Sequence, residues 1–360
     1  MVAAVLLALG ALVLSACGDS DGSAGASGEG DGSSIAGAGS MAQEKVQGHW
    51  IEGFEREEPG AKVTYDAVGS GAGRQRFIAG DAAYAASDTP LEGAELRRAV
   101  ERCEPGQLVE VPAYLSKIFV AVHVGNAAFI YLTPETLARI FDGEITSWSD
   151  PEIRDANQPI AKRLNGPIRV IYPAGDSGTT ANFTAYLAEA VPGVWRHGSS
   201  EVLPVPSVGT PVDSEVKMLK AIKAREGTIA FIDASLSGYL KPVLIKTGSD
   251  IGDVAVPNHG SSITTLESSP EAKELKKSPY MMPYDLKRGY GERGTYPIVF
   301  TSYLIACTAY DSDAEAAVVR GLLAYAVGSR GQEAAGTETG ADPLIGDLQK
   351  RAEAAVAAIE

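Results

Sequence analysis

Two long apolar segments, Ile118 to Val124 and Ile298 to Cys307, bracket about half of the chain, and each is continuous enough to be a strand buried on both faces. The stretch between them alternates strand and helix patterns. Thr133 to Phe141 predicts a helix, with Pro134 at its start and Gly143 beyond its end. Ile168 to Tyr172 predicts a strand, Ser214 to Ala224 a helix and Thr228 to Ile232 another strand. Upstream, Val46, Trp50, Ile51 and Phe54 share one face of a helix over 43–57, Pro59-Gly60 stops it, and Lys62 to Val68 alternates like a strand. Ala314 to Val327 and Ile345 to Ala358 predict closing helices. The fold class is therefore α/β. A chain that leaves one α/β domain, builds a second and returns predicts two lobes, joined by paired hinge strands, with a ligand cleft between them. The expected division is lobe I over residues 37–117 and 298–360, and lobe II over 118–297.

The N-terminal residues predict an export signal. Val2 to Leu14 is one short apolar run that ends in Leu14-Ser15-Ala16-Cys17-Gly18. It is too short for a permanent membrane span and suits a signal-peptide core. Leu-Ser-Ala-Cys is similar to the bacterial lipobox, so residues 1–17 read as a lipoprotein signal with Cys17 as the lipidated residue. No Lys or Arg precedes the run, unlike an ordinary signal n-region. Residues 18–36, rich in Gly, Ser, Ala and Asp, read as a flexible tether. The expected location is extracytoplasmic, lipid-anchored to the cell membrane.

Composition narrows the ligand. The formal net charge of −15 argues against a nucleic-acid surface, which needs clustered Lys and Arg. An anion bound by such a chain must be held by local donors and dipoles against the overall field. The best such place runs from Gly175 to Leu187. A strand and a glycine turn lead into Ser177-Gly178-Thr179-Thr180, and Phe183, Tyr186 and Leu187 follow at helical spacing. The first N–H groups of a helix lack internal partners and carry partial positive charge. A plain N-cap at Ser177 would satisfy the same helix without a ligand. Gly69-Ser70-Gly71-Ala72-Gly73 opens a second helix in the same manner, and Ser87-Asp88-Thr89-Pro90 opens a third. Asp88 has a sharper use beside hydroxyl-rich turns: a carboxylate accepts the P–O–H of protonated phosphate, whereas it repels sulfate.

Gly175-Asp176-Ser177-Gly178 also contains the Gly-Asp-Ser-Gly of chymotrypsin-like proteases, but neither His49 nor His123 lies in that family's sequence context, and the chain continues as a helix. Four histidines, His49, His123, His197 and His259, without a paired ligand motif imply no metal, and no cofactor is implied. Beyond Cys17, the remaining Cys103 and Cys307 read as a disulfide in an extracytoplasmic chain; two buried free thiols are the other reading.

The motifs together resemble the PstS-type phosphate-binding proteins, the substrate-binding lipoproteins of bacterial phosphate ABC importers, over nearly all of residues 35–350. The resemblance rests on Gly37-Ala38-Gly39-Ser40, Val68-Gly69-Ser70-Gly71-Ala72-Gly73 and Ala86-Ser87-Asp88-Thr89-Pro90-Leu91. It continues through Ile140-Phe141-Asp142-Gly143-Glu144-Ile145-Thr146-Ser147-Trp148, Asp176-Ser177-Gly178-Thr179-Thr180 and Tyr296-Pro297-Ile298-Val299. It implies a two-lobed Venus-flytrap fold of the type II periplasmic-binding-protein class with two hinge crossovers. It also implies a non-enzymatic role: binding inorganic phosphate outside the cytoplasm and delivering it to a permease driven by a separate ATPase. By position it implies phosphate contacts at Ser40, Ala42, Ser70, Asp88, Ser177, Gly178 and Thr179. Two departures stand out. Met41 replaces a hydroxyl residue, and Pro173 and Gly175 replace the family's anion-binding Arg and its orienting Asp. Loss of one charge-assisted contact costs on the order of 1.5–3 kcal/mol, or roughly ten- to a hundredfold in affinity. Arg74 is the candidate substitute for that charge; a solvated surface residue is its other reading. The alternative functions are a degenerate paralogue that binds another oxyanion or acts as a phosphate sensor or surface lipoprotein, and a serine hydrolase using Ser177.

Overall fold

The computed structural model describes residues 34–248, 253–258, 260–288 and 296–360. The leader with Cys17, the tether up to Ser33, and His259 lie outside the described residues. In chain order the elements begin with β1 (Ser34–Gly39), α1 (Glu44–Glu57), β2 (Lys62–Asp66), α2 (Ser70–Ala79), β3 (Tyr84–Ser87) and α3 (Gly93–Arg102). Next come β4 (Leu108–His123), β5 (Ile130–Leu132), α4 (Pro134–Phe141), α5 (Pro151–Ala156), β6 (Arg169–Pro173) and α6 (Gly178–Ala190). The chain continues with β7 (Gly209–Val212), α7 (Glu215–Ala224), β8 (Thr228–Asp233), β9 (Lys241–Lys246), β10 (Val254–Ala255) and α8 (Ser261–Ser268). It closes with β11 (Val299–Cys307), α9 (Asp313–Val327), α10 (Ser329–Thr339) and α11 (Gly346–Val356). Strand β1 starts at Ser34, so the last three residues of the expected tether are already part of the sheet.

The strands pair in the order β2-β1-β3-β11-β4-β8-β6-β7. β1 runs parallel to β2 and β3, β11 runs antiparallel to β3 and β4, and β8 is antiparallel to β4 and parallel to β6. β4 belongs to both lobes. Its first part pairs with β11 as far as Lys117 opposite Val299; its second part pairs with β8 from Ile118 opposite Asp233. Residues 108–122 of β4 are all buried, as expected of a strand with neighbours on both edges and layers on both faces.

The return to the first lobe comes earlier than the expected boundary at Pro297. Glu110 N–H donates to the Tyr280 carbonyl at 3.1 Å, and Met282 N–H donates to the Glu110 carbonyl at 2.8 Å. Met281 is buried with Leu96, Cys103, Leu108 and Cys307. Gly260 N–H donates to Asp342, and Ser262 bonds the same carboxylate. The described residues 260–285 therefore pack on the first-lobe part of β4, because its edge and its apolar face both require cover. A disulfide joins Cys103, at the end of α3, to Cys307, the last residue of β11. It closes a loop that contains the whole second lobe.

Helix α6 is held in place by aromatic packing. Phe183 stacks on Phe231 of β8 with centroids 4.3 Å apart, and Phe141 of α4 meets Phe183 edge-on at 4.8 Å. With Tyr186 and Leu187 also buried, the helix is fixed in depth and rotation, and its N-terminus is directed at the junction of the lobes.

Candidate functional site

The site is built from turns at strand ends. β1 ends at Gly39, and Ser40 follows, its N–H bonded to the Ala86 carbonyl at 2.9 Å. β3 ends at Ser87, and Asp88 follows. Ser40 Oγ donates to Asp88 Oδ2 at 2.5 Å and itself accepts from Ala42 N–H at 3.0 Å. Ser302, in the middle of β11, donates to Asp88 Oδ1 at 2.5 Å. Ser70 opens α2, and its Oγ accepts from Asp88 N–H at 3.1 Å. Asp88 is only 2% exposed. Burial pushes its carboxyl up to about 7, the hydrogen bonds from Ser302 and Ser40 oppose that rise, and the charges of Asp233 and Glu201 add to it.

Helix α6 supplies the opposite wall. Gly175, with φ of +70°, makes the turn after β6 that only glycine adopts freely. Ser177 then caps the helix, its Oγ accepting from Thr180 N–H at 3.3 Å, so the plain cap is realised at this position. Gly178 abuts the acid: a Cβ at this position would lie 2.5 Å from Ser70 Oγ and 2.7 Å from Asp88 Cβ. Thr179 is buried in the first turn. Gly71 N–H at the start of α2 donates to the Asp176 carbonyl at 3.1 Å, a further bond between the lobes.

The structure thus brings Ser40, Ala42, Ser70, Asp88 and Gly178 into one cluster, with Ser177 and Thr179 on the adjoining helical turn. Arg74 is not the solvated surface residue of the second reading: it is 5% exposed, and it bonds Glu95, Glu201, Ser87 and Thr89. Pro173 ends β6 and sits opposite Val212 of β7.

Ser302, Asn182 and Arg288 enter the site without having been marked in the sequence. Asn182 Oδ1 accepts from Arg288 Nη2 at 2.8 Å, and Arg288 also donates to the Val299 carbonyl. Burial pulls the Arg288 guanidinium down to about 10, opposed by Glu189 and Asp285. Asn182 and Arg288, with Asp88, Thr301 and Tyr303, border a cavity of ≈ 260 Å³ between the lobes. A hydroxyl inside an apolar strand, such as Ser302, was the available signal, since buried polar groups require partners.

Among the described residues, His123 bonds the Ile222 carbonyl, and His197 bonds Asp142, while the Ser177 hydroxyl accepts from Thr180 N–H at its own helix start.

Comparison with known proteins agrees with this geometry. Residues 21–330 match the PBP superfamily domain. The chain is 30% identical to phosphate-binding protein PstS2 of Mycobacterium bovis, covering 98% of this chain and 97% of that protein. It is 27% identical to phosphate-binding protein PstS of Haemophilus influenzae, covering 88% of this chain and 90% of that one. The periplasmic phosphate-binding protein PfluDING, solved bound with phosphate, superposes with a TM-score of 0.72 at 19% identity, covering 89% of this chain and 93% of its own. A phosphate-binding protein from Stenotrophomonas maltophilia superposes with a TM-score of 0.69 at 19% identity, with the same coverage. At that identity the two structures speak for the two-lobed fold, and the sequence relatives speak for the family. With its hydroxyl-lined acid at the junction of two lobes, the chain belongs to the PstS-type phosphate-binding proteins of the PBP superfamily.

Proposed function

We propose that this protein binds inorganic phosphate outside the cytoplasm and delivers it to the permease of an ABC importer, without catalysis. The observation that carries this reading is Asp88: a buried carboxylate among the hydroxyls of Ser40, Ser70 and Ser302, faced by the N-terminus of α6 from the other lobe. Such a group accepts a proton that phosphate carries and sulfate lacks. Ser40, Ala42, Ser70, Ser177, Gly178 and Thr179 are the proposed donors, through hydroxyls and backbone N–H groups. Desolvated donors and helix dipoles hold an anion without a full counter-charge. The proposed lipid anchor at Cys17 places the protein at the membrane surface, where the permease would receive it; mass spectrometry of the N-terminal peptide from membrane-extracted protein tests the acylation.

Pro173 in place of the family Arg, together with the engagement of Arg74 by two carboxylates, favours a second reading with the same fold: a relative tuned to another oxyanion, or a sensor. Isothermal titration decides between them. Phosphate binding with little response to sulfate is the expected outcome. Equal response to both removes the Asp88 argument, and silence toward millimolar phosphate supports the second reading.

A further inference from the structure

Arg74 stands one turn behind Ser70 on the same face of α2. Its guanidinium meets Glu201 fork to fork, Nη1 to Oε1 at 2.9 Å and Nη2 to Oε2 at 3.0 Å. Arg74 belongs to the first lobe, whereas Glu201 follows α6 in the second. The contact reaches into the site from both sides. The backbone carbonyl of Glu201 accepts from Ser177 N–H at 2.9 Å, so the residue that grips Arg74 also holds the cap of α6. Thr89, next to Asp88, donates its hydroxyl to Glu201 Oε1 at 3.0 Å. Fit is close: a Cβ at Gly71 would come within 2.6 Å of Glu201 Oε2. The other acidic partner of Arg74, Glu95, accepts from Nε at 2.7 Å and lies within the first lobe on α3.

We propose that the Arg74–Glu201 pair is a cross-lobe lock that sets the lifetime of the closed state and thereby the affinity and release rate of the ligand. The lock rests on the phosphate reading for its binding readout, but not for its effect on lobe closure. Opening the cleft must break the bonds from Arg74 to Glu201 and leave the bond to Glu95 intact. Arg74 has a second effect on an anion site. It offsets the charges of Glu201 and Glu95, two carboxylates that would otherwise oppose an incoming anion. Removing Arg74 should therefore weaken binding more than removing the Glu201 charge, and the pair should be non-additive.

The test compares wild type, Glu201→Gln, Arg74→Gln, the double variant and Glu95→Gln. Titration with inorganic phosphate should show about a tenfold loss for Glu201→Gln and a larger loss for Arg74→Gln. The double variant should lose less than the product of the two. Stopped-flow release should speed up in Glu201→Gln by a similar factor. Glu95→Gln should lower the melting temperature and change affinity by less than about threefold. Small-angle scattering of ligand-free protein should show a larger radius of gyration for Glu201→Gln than for wild type. Unchanged scattering together with unchanged phosphate release in Glu201→Gln overturns the lock. Loss of affinity in Glu95→Gln equal to that in Glu201→Gln also overturns it. If wild type ignores phosphate while Glu201→Gln still expands, the lock stands and the phosphate reading falls.

Discussion

Asn182 Nδ2 donates to the backbone carbonyl of Asp88 at 2.7 Å, bonding helix α6 of one lobe to the turn that carries the acid of the other. The same amide nitrogen donates to the Gly178 carbonyl at 2.9 Å, and its oxygen accepts from Arg288. One side chain thus fixes the acid, the helix start and a buried cation together. Asn182→Ala should leave the Arg288 guanidinium short of an acceptor and cost about 1–3 kcal/mol of stability. Asn182→Asp should be worse at neutral pH, because a carboxylate would face two carbonyl oxygens. Calorimetric melting of both variants checks the order.

Asp88→Asn separates stability from selectivity. The folded carboxyl titrates near 7, against 3.8 as its ordinary value, so the fold holds the proton that the unfolded chain releases. Stability from this group is complete below about 4 and is lost as pH rises through about 7. The ligand-free Asn variant should therefore gain on wild type across that window, by up to about 4 kcal/mol. Its discrimination between phosphate and sulfate should fall, because an amide can donate to either anion. Melting at pH 5 and pH 8, with paired titrations of the two anions, measures both effects.

Gly178→Ala tests the closeness of the two walls. The added methyl would collide with Ser70 Oγ and Asp88 Cβ across the lobe junction. Within α6 alone, alanine is the better helix former by about 1 kcal/mol. The expected result is a second lobe that folds normally but cannot seat on the first. Phosphate affinity should drop by at least about tenfold, with a larger radius of gyration in solution scattering.

Glu110 gives a stability prediction remote from the ligand. It is fully buried in β4, Leu91 N–H donates to its Oε1 at 2.7 Å, and among the described residues its Oε2 has no hydrogen-bond partner. Burial pushes its carboxyl up to about 8, opposed by the Leu91 hydrogen bond and the Arg74 charge. Stability from the protonated acid is complete below about 4.5 and is lost as pH rises through about 8. Glu110→Gln should therefore melt progressively higher than wild type between pH 5 and pH 8.5, with a gain of about 2–4 kcal/mol at the upper end. A constant difference across that range would contradict the titration of Glu110.

Much of the fold was legible because its signals are local. The helices at Glu44–Glu57 and Pro134–Phe141 each have a buried stripe at helical spacing, and Thr133, Ser177, Ser214 and Ser312 cap helices as their residue types lead one to expect. Helix α10 is the counterexample. Its sequence has no apolar stripe, and it is held by polar bonds instead. Trp50 Nε1 donates to the Gly331 carbonyl, Gln332 donates to the carbonyls of Ala113 and Ala326, and Leu344 N–H donates to Gln332.

The helices over 44–57 and 134–141, the strands over 169–173 and 228–233, and the glycine turns that open α2 and α6 followed from the sequence alone, since periodicity and cap chemistry act within a few residues. Three matters needed the tertiary structure: that Ser302 completes the hydroxyl shell of Asp88, that Arg74 faces Glu201 and Glu95, and that residues 260–285 return to the first lobe. Each joins segments far apart in the chain. Such pairings depend on which faces fit and which buried charges need a partner, and no local pattern in the sequence carries that information.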